Sequence, residues 1–72
     1  MNYREYIEIQ PRKRSGKPCF KGMRITVQDV FDYLGGGMAP EELLRDFPDL
    51  TPIHLQAAFA YAAGNPGAVF IR

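Results

Sequence analysis

Cysteine, histidine and tryptophan are scarce in this chain of 72 residues: Cys19 and His54 stand alone and tryptophan is absent. A single thiol excludes an internal disulfide and a multi-cysteine metal site, so the staples of a small secreted domain are missing. Nothing else in the sequence has metal-ligand spacing, and no cofactor motif is present. Cys19 and His54 formally make a nucleophile and base, yet no third group is indicated to orient them, so a non-enzymatic role is expected. Ser15-Gly16-Lys17 is not a phosphate loop, because the motif's earlier glycine is missing and Pro18 stands where Ser or Thr is needed. No apolar run approaches the roughly 20 residues of a membrane helix, and the N-terminus lacks a basic-then-apolar signal pattern. The expected compartment is the cytoplasm, with no membrane partner.

Acidic residues are scarce in the first third. Residues 1–24 hold seven Lys or Arg against two Glu, whereas residues 25–72 hold two against six, a split hidden by the net charge of +1. Such a split marks either a basic arm that meets a polyanion or a solvated surface. Repeats and linkers are also absent, so residues 1–72 are expected to form one domain, near the size at which a single core barely suffices.

The remaining residues are patterned for an α+β, mostly α fold. Tyr3 to Ile9 alternates in the period of a half-exposed strand, and Cys19-Phe20 can resume one, which makes a short N-terminal strand or hairpin. Gln10 to Pro18, QPRKRSGKP, supports neither helix nor central strand and reads as a basic loop. Thr26 with Asp29 forms a capping-box-like start, and Val27, Val30, Phe31 and Leu34 make one buried stripe that ends at Gly35 to Gly37. Pro40 opens a second helix carrying Leu43, Leu44 and Phe47, although Ala39 is a poor N-cap. Pro48 ends it, and Thr51-Pro52 starts a third that stops at Gly64 and Pro66. Two helices joined across Pro48 to Thr51 read as a helix-turn-helix within residues 26–64. Phe31, Leu44, Phe47, Leu50, Leu55 and Phe59 are expected to share the core. Residues 65–72 form an apolar tail that can add an edge strand.

Two stretches carry a family resemblance: GKPCFKGMRI (Gly16 to Ile25) followed by V-x-x-V-x-x-Y-L-x-x-G, and FPDLTPIHLQAAFAYAA (Phe47 to Ala63). Over roughly residues 6 to 63 the chain resembles domain-of-unknown-function family 433. The resemblance implies a homeodomain-like trihelical fold behind a short β segment. It further implies an antitoxin role in a toxin-antitoxin system beside a PIN-like ribonuclease toxin. Met23 and Ile53 depart from that pattern, which has threonine and an acidic residue in those places.

Two interaction surfaces are expected. For DNA, Arg12, Lys13, Arg14 and Lys17 would track the backbone, Thr51 at the third helix start would hold a phosphate, and His54 and Gln56 would read bases. For a protein partner, Ile53, Ala57, Ala60 and Tyr61 would form a face opposite a core stripe of Leu55, Ala58, Phe59 and Ala62. The tail residues Val69, Phe70 and Ile71 would add apolar area, and Arg72 would pair with the toxin's carboxylates. The leading expectation is an antitoxin-type module that binds the toxin and operator DNA. The alternative is an autonomous, dimeric DNA-binding transcription regulator, and a homodimer is expected in either case.

Overall fold

A computed structural model describes residues 1–69. A 3-10 turn at Tyr3–Glu5 leads into β1 (Ile7–Glu8), a second 3-10 turn at Arg14–Gly16 precedes β2 (Cys19–Phe20), and three helices follow: α1 (Val27–Gly35), α2 (Pro40–Asp46) and α3 (Pro52–Gly64). The strands pair antiparallel, Ile7 opposite Phe20 and Glu8 opposite Cys19. This is the expected α+β architecture, a short hairpin before three helices.

The start of the chain differs from the strand expected over Tyr3 to Ile9. Asn2 accepts the Arg4 N–H and starts a turn, so only two residues remain extended. The cause is tertiary. The Tyr3 ring sits edge-on to Tyr61 with centroids 5.3 Å apart, and Asn65 Nδ2 donates to both the Tyr3 hydroxyl and the Tyr61 carbonyl. Turning the backbone brings Tyr3 onto the end of α3, which a straight strand would not do.

α1 begins as its sequence dictates. Thr26 Oγ1 accepts the Asp29 N–H at 2.8 Å and Asp29 Oδ2 accepts the Thr26 N–H at 3.0 Å, a reciprocal cap that satisfies two otherwise orphaned donors. Val27, Val30 and Phe31 are buried, and Leu34 packs against the core from its edge. The chain leaves α1 through Gly37 at φ +103°, a left-handed turn that a side chain would strain. The hairpin is tied to the start of α1 by the Val27 N–H to the Pro18 carbonyl and the Phe20 N–H to the Ile25 carbonyl, each at 3.0 Å.

Phe20, Val27, Val30, Leu43, Leu50, Leu55, Ala57 and Ala58 belong to the buried cluster that joins hairpin and helices. Leu44 and Phe47 are only partly buried, and Phe47 instead covers Tyr33 with ring centroids 5.2 Å apart. Phe59 does not join the core as expected: it is 51% exposed, with one edge contact to Phe31 at 5.5 Å. Of the tail, Ala68 and Val69 follow a turn in which the Ala68 N–H bonds the Asn65 carbonyl, and they form no strand. Phe70, Ile71 and Arg72, expected to extend the apolar tail and to meet a partner, lie outside the described residues.

Candidate functional site

The orientation of α3 decides which side chains face outward. The helix carries no Asp, Glu, Lys or Arg over its thirteen residues, and apolar groups surround its axis, so periodicity alone does not choose a buried side. Contacts with the first residues choose it. Tyr3 packs on Tyr61, and the His54 ring lies edge-on to Tyr6 at 5.9 Å and to Phe20 at 5.5 Å. Leu55, Ala57, Ala58 and Tyr61 therefore point inward. Ala57 is 0% and Tyr61 8% exposed, which removes both from the expected partner face. Burial also pushes the Tyr61 hydroxyl's pKa up, helped by the neighbouring Tyr3. The outward surface consists of Pro52, Ile53, Gln56, Phe59 and Ala63, with Ala60 half-buried at its edge. Ile53 is 36% exposed.

The groups assigned to DNA are differently occupied. His54 Nδ1 accepts the Thr51 N–H at 3.0 Å and lies 2.9 Å from the Thr51 hydroxyl. Both residues thus take part in the cap of α3, where Thr51 stays exposed and His54 is half-buried. Gln56 alone of the expected base readers remains on the outward surface.

Two of the four basic-loop residues are likewise taken. Lys13 Nζ bonds Glu8 Oε2 at 3.1 Å, and that hydrogen bond holds the Glu8 carboxyl below its ordinary pKa. Arg14 grips Asp29 with two nitrogens at 2.8 and 3.3 Å and donates to the Arg24 carbonyl at 2.6 Å. Partial burial raises the Asp29 pKa, but the bonds from Arg14 and from the Thr26 N–H outweigh it, and the net direction is down. The same pair raises the Arg14 pKa. Lys13 and Arg14 are therefore already paired within the fold, Arg14 bidentately with a carboxylate. Arg12 and Lys17 stay exposed, with no ion pair among the described residues.

Charge on the second helix also matters. Pro40 to Thr51 carries Glu41, Glu42, Asp46 and Asp49 against Arg45 alone, so the approach to α3 from this side repels a polyanion. A cavity of about 210 Å³, largely apolar, is lined by Lys17 and Pro18 of the basic loop, Val27 and Gln28 of α1, and Ala68 and Val69. Among the described residues no group of three or more His, Cys, Asp or Glu is placed to hold a metal, and no helix is long and apolar enough to cross a membrane. Cys19 is buried and its Sγ donates to the Lys17 carbonyl, while His54 is bound to Thr51.

The family model for a protein of unknown function, DUF433, matches residues 7–62. The chain belongs to the DUF433 family. A crystal structure of a DUF433 member from Anabaena variabilis, at 2.00 Å resolution, superposes with a TM-score of 0.80 and 35% sequence identity. The match covers 83% of this chain and 59% of that one, so the present chain spans less than two thirds of its relative. No curated protein matches. In this DUF433 chain the outward side chain that sequence reasoning missed is Phe59. Its signal was the alanine pair Ala57-Ala58, whose small size suits close approach to the hairpin and α1 better than an aromatic does.

Proposed function

We propose that this DUF433 chain is a non-enzymatic, antitoxin-type module that docks a partner protein on the outward side of α3. The observation that carries the reading is the exposure of Ile53 and Phe59 on a helix without a charged residue. Water gains nothing from such a surface, and covering the exposed half of one aromatic and part of one branched side chain is worth about 2 kcal/mol. Aromatic side chains, Phe among them, are enriched at protein interfaces. The family resemblance supplies the class of partner, a PIN-like ribonuclease. DNA reading by α3 takes second place, since Gln56 is the one expected base reader left on its outward surface and α2 beside it is acidic.

The test is co-expression with a ribonuclease encoded beside this chain. Ile53→Glu and Phe59→Glu alter exposed positions, so each variant should stay folded and lose co-purification and neutralisation of the nuclease. Undiminished neutralisation by a folded Phe59→Glu variant would refute the docking surface. Sedimentation of the chain alone checks whether the same surface closes a homodimer, which the double variant would then convert to a monomer.

A further inference from the structure

The basic loop raises a question that the α3 surface leaves open: why a loop with so much positive charge is held so firmly. Residues 9–28 contain six Lys or Arg and no acidic residue. Lys13 and Arg14 reach out of this segment to Glu8 and Asp29. That leaves Arg12, Lys17, Lys21 and Arg24, all exposed and without an ion pair among the described residues.

The two segments that carry these four charges are tied to one another. The Arg14 guanidinium bonds the Arg24 carbonyl, which lays the loop bearing Arg12 and Lys17 against the turn bearing Lys21 and Arg24. The loop itself is fixed by three successive turns, from the Lys13 N–H to the Gln10 carbonyl, Gly16 to Lys13, and Lys17 to Arg14. Its backbone runs through φ +49° at Arg14 and +59° at Ser15, a conformation that non-glycine residues adopt only when the surroundings impose it. Two clamps and three turns thus hold the backbone that carries Arg12 and Lys17, so the loop itself needs little ordering when a ligand binds.

We infer that Arg12, Lys17, Lys21 and Arg24 form a contact for the phosphate backbone of duplex DNA, without base reading. The charge composition suits a polyanion: residues 9–28 carry six Lys or Arg and no acidic residue, whereas residues 29–69 carry six acidic residues against Arg45. An acidic protein surface fits less well. The only aromatic residue in 9–28 is Phe20, which is buried, so the patch offers charge without an exposed aromatic side chain. Duplex DNA offers the densest regular array of phosphates and needs none. The inference stands independently of the α3 reading, because it uses no residue of that helix.

The experiment is fluorescence anisotropy with labelled duplex, with single-stranded RNA of equal length and with polyglutamate, over a salt series. Four phosphate contacts predict a log–log slope of about −3.6, hence roughly 100-fold weaker duplex binding between about 50 and 200 mM salt. Replacing Arg12, Lys17, Lys21 and Arg24 by Gln together should abolish the slope. The pairs Arg12→Gln/Lys17→Gln and Lys21→Gln/Arg24→Gln, made separately, should each remove about half of it, which keeps the test valid if the quadruple variant unfolds. Phe59→Glu should leave duplex binding unchanged, so failure of the α3 reading is scored separately. Salt-independent or absent duplex binding, unchanged affinity in both folded pair variants, or tighter binding of RNA or polyglutamate than of duplex would each overturn the assignment.

Discussion

Phe20 and Phe59 offer the sharpest test of the packing, because the same substitution at the two positions should have unequal costs. Phe20 is 0% exposed, its ring edge-on to His54 at 5.5 Å, and its removal leaves an enclosed void between hairpin and helices. Phe→Ala at such a site costs about 3–5 kcal/mol. Phe59 is 51% exposed. About half of its transfer energy of roughly 1.5–3 kcal/mol is at stake, with a small addition for the edge contact to Phe31, and no closed cavity forms. The expected loss is about 1–2 kcal/mol. A chain of this length has a total stability of about 4–11 kcal/mol, so Phe20→Ala should remove a large share and Phe59→Ala a minor one. Urea unfolding followed by circular dichroism measures both. Equal losses, or a larger loss at Phe59, would refute the orientation of α3 and return Phe59 to the core.

Acid should destabilise the chain through Glu8 and Asp29, whose carboxyls are held below their ordinary values by Lys13 and by Arg14 with Thr26. Depressed carboxyls favour the fold in their ionised form, so their contribution is complete above the ordinary carboxylate range of about 4 and disappears as pH falls through the lower folded values. The urea midpoint should drop on that acid limb, and Asp29→Asn should flatten it; a limb unchanged in Asp29→Asn would remove the pair from the account. His54→Ala should cost about 1–2 kcal/mol by deleting the cap acceptor and two ring contacts. Faster hydrogen exchange at the Phe20 amide, which bonds Ile25, would report the loosened hairpin, and unaltered exchange would contradict it. Finally, Thr26→Ala and Arg14→Ala should be sub-additive in melting temperature, since both act on Asp29; strict additivity would show that the cap and the clamp are independent.

What the sequence makes legible follows from how local each cause is. The start of α1 is readable because Thr26 and Asp29 bond each other within one turn, and its inward side because Val27, Val30, Phe31 and Leu34 fall on a single stripe. Pro40, Pro48 and Pro52 delimit α2 and α3 for equally local reasons. The inward side of α3 is not readable. Apolar residues all round the helix leave the choice to Tyr3 and Tyr6, near the other end of the chain, and the same contacts bend Tyr3 out of the strand that its alternation implies. The charge of the basic loop is plain in the sequence, yet its division into clamps and free cations is not. Arg14 finds Asp29 only after the loop has folded back on α1.

That division would let one short loop hold the fold and also carry the proposed phosphate contact. A left-handed backbone at a non-glycine residue costs on the order of 1–3 kcal/mol, and two such residues follow one another at Arg14 and Ser15. In a chain with little stability to spare, the conformation persists only if the bonds around it over-determine it. Those bonds are made by Arg14 and Lys13, to carboxylates fixed in α1 and β1. Asp29 is already fixed by the helix cap, so the element most firmly specified by the sequence holds the loop that is least so. The neighbouring Arg12 and Lys17 side chains make no ion pair among the described residues and stay exposed. The same separation holds at α3, where Ala57, Ala58 and Tyr61 secure the helix while Ile53 and Phe59 face outward. Buried and exposed positions thus alternate within one segment, so a substitution at an outward position should keep the fold and test the proposed contact on its own.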